Sequence, residues 1–214
     1  MKKFITFIPM QTGSNLLLGK YAADGNIHLC FERPIRFPVL AMLNGYVEDN
    51  EQIELLAIME ENNSDCLHNL ELLQNDISEI LAGRNAHCTI TPIEISKQET
   101  STAHLNTFAK LIDNIQDNDE VFACITFGTK PTPILELMAM HFAYKTKNNM
   151  KVRCIAYGKV NRKGNAPDSF CIYDVTALFF MLEIVDKLAE LQDPMPEESI
   201  RRILNIEDTQ DADV

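Results

Sequence analysis

The sequence predicts an α/β fold: a Rossmann-like, mostly parallel sheet with helices on both faces, followed by a small helical appendage. Three observations predict it. Apolar runs of strand length, such as FITFIP at 4–9, CTITPIEI at 88–95 and VFACITF at 121–127, alternate with stretches whose apolar residues recur every three or four positions. That alternation predicts a mostly parallel sheet with helices on both faces. The 214 residues suit one such domain, and a chain of that length buries roughly 70% of the surface it exposes unfolded. The expected division is a domain over 1–192 and a short helical, acidic segment or linker over 193–214.

The elements follow in order. Phe4–Pro9 is a strand feeding the polar loop Gln11-Thr12-Gly13-Ser14-Asn15. Leu16–Tyr21 and Ile27–Phe31 flank Asp24-Gly25, a hairpin signal. Arg36-Phe37-Pro38 opens a short helix through Leu43, and Gln52–Met59 reads as a strand. Leu67, Leu70, Leu73, Ile77, Ile80 and Leu81 share one helical face within 65–81, and Gly83 marks its stop. After the strand 88–95, a second amphipathic helix carries Leu105, Phe108, Leu111, Ile112 and Ile115, with Thr100, Ser101 or Thr102 as its cap. The strand Val121–Phe127 ends at Gly128-Thr129-Lys130, and a helix over 131–144 starts with proline, where a missing N–H costs little. Val152–Tyr157 is a strand, a loop with Gly158, Gly164, Asn165 and Pro167 follows, and Phe170–Tyr173 is again extended. A strongly apolar helix over 176–191, a break at Pro194 and Pro196, a small helix near 197–205 and an acidic end complete the chain.

Charge narrows the function classes. With 19 basic and 31 acidic residues, net −12, the chain is not a general binder of duplex nucleic acid. Half of that net charge lies in 190–214, whereas 145–163 holds seven bases (Lys145, Lys147, Lys151, Arg153, Lys159, Arg162, Lys163) and no acid. That run is either a solvated surface or an electropositive rim for a phosphorylated ligand. The six cysteines form no CxxC pair, the amino-terminal residues lack a leader's long apolar stretch, and the longest apolar run stops at Glu183. These features predict a reduced, cytoplasmic protein with no membrane span and no cofactor.

In open parallel sheets ligands bind beyond the carboxyl ends of the strands. Two such ends combine a glycine, for close backbone approach, with hydroxyls and amides: Gln11-Thr12-Gly13-Ser14-Asn15 and Gly128-Thr129-Lys130-Pro131-Thr132. The second adds a lysine and leads into a helix, whose N–H groups and dipole favour an anion. A turn with an exposed lysine is the competing reading. Neither the dinucleotide fingerprint GxGxxG nor the P-loop is met. The histidines (His28, His68, His87, His104, His141) show no metal-ligand spacing and read as single surface or core residues. Ser14 has no GxSxG elbow to support a hydrolytic role.

The ITFGTK segment at 125–130, closing an apolar strand and entering a helix, resembles the Gly-Thr-Lys loop of CARF (CRISPR-associated Rossmann fold) domains, the sensor modules of type III CRISPR systems. The FITFIP strand, the Thr-Gly loop, the YAADGN hairpin and the Arg-Phe-Pro helix are similar to the opening of one CARF subgroup, so the resemblance spans roughly 1–190. It implies a homodimer that binds a cyclic oligoadenylate, cyclic tetra- or hexa-adenylate, in a shared cleft. Thr12, Gly13, Ser14 and Asn15 would line the cleft from one loop, and Gly128, Thr129 and Lys130 from the other; Gln11 and Thr132 flank them. Phe127 stands where many members have a second glycine. The resemblance further implies either a stand-alone sensor or the sensor half of a longer protein, with a fused or associated effector absent from this chain. It leaves open a ring nuclease that cleaves its own ligand, with Ser14 and Lys130 positioning the ring. A Rossmann-like module for another phosphorylated metabolite is the alternative outside that family.

Overall fold

The structure, a computed structural model, describes residues 1–206. Seven strands form one sheet: β1 (Lys2–Phe7), β2 (Tyr21–Asp24), β3 (Gln52–Glu60), β4 (His87–Ile95), β5 (Glu120–Cys124), β6 (Lys151–Lys163) and β7 (Ala166–Asp174). The helices are α1 (Val39–Tyr46), α2 (Ser64–Leu81), α3 (Ser101–Asp113), α4 (Pro131–Thr146), α5 (Thr176–Glu190) and α6 (Pro196–Leu204). The strand order is β2-β7-β6-β5-β1-β3-β4. Strands β4, β3, β1, β5 and β6 run parallel, and β7 turns back antiparallel beside β6. This is the Rossmann-like α/β architecture expected from the alternation of strands and helices.

Residues on successive strand positions feed two cores, one on each face. Phe4, Leu55, Ala57, Phe122, Cys124 and Cys154 join α1 and α2 in one buried cluster. The alternate residues Ile5, Phe7, Leu56, Ile58 and Ile155 are equally buried and lie outside that cluster. Phe4 and Phe122 are directly paired across β1 and β5, and their rings stack at 4.6 Å. Such pairs give a sheet its register as well as apolar burial. The helices start where polar side chains take over unpaired N–H groups. Asn63 Oδ1 accepts from Asp65 N and Cys66 N at the start of α2, and Thr100 Oγ1 accepts from Ala103 N at the start of α3.

The chain divides into two compact units, the first Met1–Thr176 and the second beginning at Ala177. Within the second, Ser199 Oγ donates to Asp193 Oδ2 at 2.6 Å, and Arg201 pairs with Glu197 one turn away at 3.1 Å. The acidic end expected after 205 lies, from residue 207 on, outside the described residues. Among the described residues no helix is long and apolar enough to cross a membrane.

Three local expectations are corrected. Asp24-Gly25 does not close a hairpin: Tyr21–Asp24 pairs with β7, and Ile27–Leu29 is a 3-10 turn. The apolar run at 121–127 leaves the ladder at Cys124; Thr126 Oγ1 accepts from Gly158 N at 2.8 Å, and Phe127 packs edge-on against Phe37. The segment 158–169, read as a loop, is mostly a hairpin arm of β6 and β7. Gly158 does not break the strand. A Cβ there would lie 2.5 Å from Pro38, so glycine lets that segment sit against the strand.

Candidate functional site

The strand order creates a switch point between β1 and β5. These two strands are neighbours, yet the connection from β1, by way of the edge strand β2 and α1, ends in β3 on one side, and the connection from β5 through α4 ends in β6 on the other. The crevice beyond their carboxyl ends is where open α/β sheets bind ligands. Both loops singled out in the sequence begin there, and they touch at their roots: a Cβ on Gly128 would lie 3.1 Å from the Phe7 ring and 3.0 Å from Thr132 Cβ. Gly128 has φ +108°, a conformation that other residues adopt only with strain.

The first loop is held from α2. Asn69, fully buried, donates through Nδ2 to Pro9 O and Gln11 O, both at 2.8 Å. Asn15 N donates to Thr12 O at 2.8 Å in a single 3-10 turn over Gly13–Asn15. Gly13 is buried against His68 and Asn69, whereas Gln11, Thr12, Ser14 and Asn15 are exposed on the rim.

The second loop ends in α4. Thr132 N donates to Thr129 O at 3.0 Å, and the two threonine hydroxyls lie 3.1 Å apart. Pro131 and Pro133 carry no N–H, so the start of α4 from Pro131 to Pro133 leaves none for an anion. The expected cradle of helix amides is therefore reduced. Main-chain N–H groups at this strand end are those of Gly128, Thr129 and Lys130, and Gly128 and Lys130 are exposed.

The basic run is also divided. Lys145 and Lys147 lie at the far end of α4, and Lys151 and Arg153 at the start of β6, the opposite end of the sheet; Arg153 faces Glu120 there at 3.9 Å. Lys159, Arg162 and Lys163 rise on the hairpin at the end where the candidate loops lie.

A small cavity of about 20 Å³ opens beside these loops. Phe7 and Met10 from the β1 end, Glu60 from β3, the segment Ser96–Glu99 after β4, and Thr129 and Thr132 line it, with Ala103, His104 and Thr107 of α3. Glu99 Oε2 lies 2.7 Å from His104 Nε2. Hydrogen bonds from His104 and then Thr129 hold the Glu99 carboxyl below its ordinary range. The sequence did not mark Lys97, Glu99 or His104. Their signal was a carboxylate and an imidazole five residues apart across a helix start, after a strand whose end opens on the same rim.

A scan of protein-family models and a search of curated proteins return no match to this chain.

Proposed function

We propose that this chain is a CARF-like sensor that binds a cyclic oligoadenylate between two copies of itself, in service of a type III CRISPR response. The observation that carries the reading is the switch-point pair of loops: Gly128 at positive φ packed on the end of β1, threonine and serine hydroxyls on the rim, and one exposed ammonium at Lys130. A ring of four or six phosphates is a diffuse anion, suited to several donors and modest positive charge rather than one ion pair.

A surface for a second copy lies next to the loop. Ile134, Met138 and Phe142, spaced at one-turn intervals along α4, are all exposed, and Leu105 of α3 is exposed as well. Docking across such a stripe by a two-fold axis doubles every loop and gives two Lys130 ammoniums per ring. An effector, fused or separate, would read the occupied dimer.

Lys130→Ala should weaken binding of cyclic tetra- or hexa-adenylate by about 1.5–3 kcal/mol, the scale of a charge-assisted contact. That is roughly tenfold to a hundredfold in Kd. Fluorescence anisotropy with a labelled ring measures it; unchanged affinity removes Lys130 from the site.

A further inference from the structure

The arm formed by β6 and β7 carries a surface that the two candidate loops do not use. Gly158 turns toward Pro38 and Tyr21, so its neighbours Tyr157 and Lys159 point to the other face of the sheet. Across the ladder Tyr157 lies opposite Tyr173, Lys159 opposite Cys171 and Asn161 opposite Ser169. Asn161 Nδ2 donates to Ser169 Oγ at 3.0 Å and lies 3.8 Å from Cys171 Sγ, which places these side chains on one face. Tyr157 is 40% exposed and Tyr173 half-buried, while Lys159, Arg162 and Lys163 are exposed. The arm is anchored below the strip by the bond from Gly158 N to Thr126 Oγ1. Charge is graded along it. Asp24 of β2 stands in register with Tyr173 at one end. Toward the tip, 159–163 holds three bases and no acid, against the single acid Asp168 in the facing stretch 166–170. A small anion is held by donors converging on one point. This strip instead spreads two rings, an amide and three cations along a strand, as a chain of stacked bases and phosphates requires. An acidic peptide would engage the tip and leave the paired tyrosines idle.

We propose that this face of the arm binds single-stranded nucleic acid, with bases stacked on Tyr157 and Tyr173 and phosphates passing Lys159, Arg162 and Lys163. Open rings accept any base, so binding carries little sequence preference. Asp24 repels phosphate at the tyrosine end, which favours bases rather than backbone over the rings there. A duplex keeps its bases in its own stack and offers this strip only phosphates, and the net charge of −12 on the chain opposes it. The surface is distinct from Thr12–Asn15 and Gly128–Lys130, and its occupancy requires neither a cyclic ligand nor a second copy.

Fluorescence anisotropy of the full chain with labelled RNA and DNA strands of mixed sequence, each about 12 nucleotides long, tests this. Wild type should bind at least one strand saturably and about tenfold or more tighter than the matching duplex, since only the free strand can stack on the rings. Tyr157→Ala should weaken binding about tenfold, the scale of one lost stacking contact, and Tyr157→Phe should bind as wild type does. Replacing Lys159 and Lys163 together by glutamine should flatten the slope of log affinity against log salt by about 1.4, or 0.7 per lost phosphate contact. Lys130→Ala should leave strand binding unchanged. No saturable binding of either strand overturns the proposal, as does equal binding of the duplex. So does wild-type affinity in both Tyr157→Ala and the double lysine variant, or displacement by polyglutamate as effective as by unlabelled strand at equal charge. Loss of cyclic tetra- or hexa-adenylate but not of the strand in those variants would assign the arm to the ring site and overturn it too.

Discussion

Replacing Glu136 with leucine should raise the stability of this protein at pH 8 by on the order of 3–5 kcal/mol, with a much smaller gain at pH 5. Glu136 lies on the inward face of α4, one turn after Thr132, fully buried. Neither carboxyl oxygen has a hydrogen-bond partner. Burial pushes its pKa up from 4.5 to about 8, because an isolated carboxylate in a dry interior costs far more than a neutral acid. The sign follows from the proton balance. Between pH 4.5 and 8 the unfolded chain has released this proton and the folded chain still holds it. The group's contribution is intact below about 4.5, declines as pH rises, and is fully lost above about 8. Urea unfolding of wild type and Glu136→Leu from pH 5 to 9 reads this directly. A difference that does not grow with pH would place the Glu136 carboxylate in a solvated or paired setting.

Asp119→Ala should act in the opposite direction, costing about 1.5–3 kcal/mol, the scale of a lost charge-assisted hydrogen bond, since Lys3 keeps Glu54 as a partner. Lys3 of β1 is buried, with Nζ 3.3 Å from Asp119 Oδ2 and 3.1 Å from Glu54 Oε2 of β3. Asp119 also accepts from Gln116 N at 2.8 Å. The cluster ties β1, β3 and β5 together at the end opposite the candidate loops, so the folded fraction of Asp119→Ala should bind ligand as wild type does. The combined replacement Lys3→Met, Glu54→Leu and Asp119→Leu should recover most of the loss, since none of the three charges is then left without its partner. Chemical denaturation of the single and combined variants checks both statements. A loss under 1 kcal/mol in the single variant would show that water reaches Lys3.

Legibility in the sequence followed the range of the interactions concerned. Helix α2 and strands β1 and β3 could be read because each buries an apolar stretch of its own, Leu70, Leu73 and Ile77 on one helix face being the plainest. The two candidate loops could be read as strand ends rich in glycine and hydroxyls. What escaped depends on distant partners. Tyr21–Asp24 is a strand only because β7, some 150 positions along, lies beside it. Phe127 continued an apolar run, yet it follows a turn and packs on Phe37. Gly158 looked like a loop signal and is instead the residue that lets a strand pass Pro38 and Tyr21. Glu99 and His104 looked like a helix start, and only the order of the strands sets them beside Thr129. Glu136, amid ILELMAM, carries no local mark of burial.

The most direct test of the account is calorimetric titration of the wild-type chain with cyclic tetra- and hexa-adenylate, run at low and high salt. The predicted result is saturable binding of at least one ring at one ring per two chains, with affinity that falls as salt screens the phosphates. No heat with either ring, or one ring taken up per separate monomer, would contradict a shared cleft built from the ends of β1 and β5.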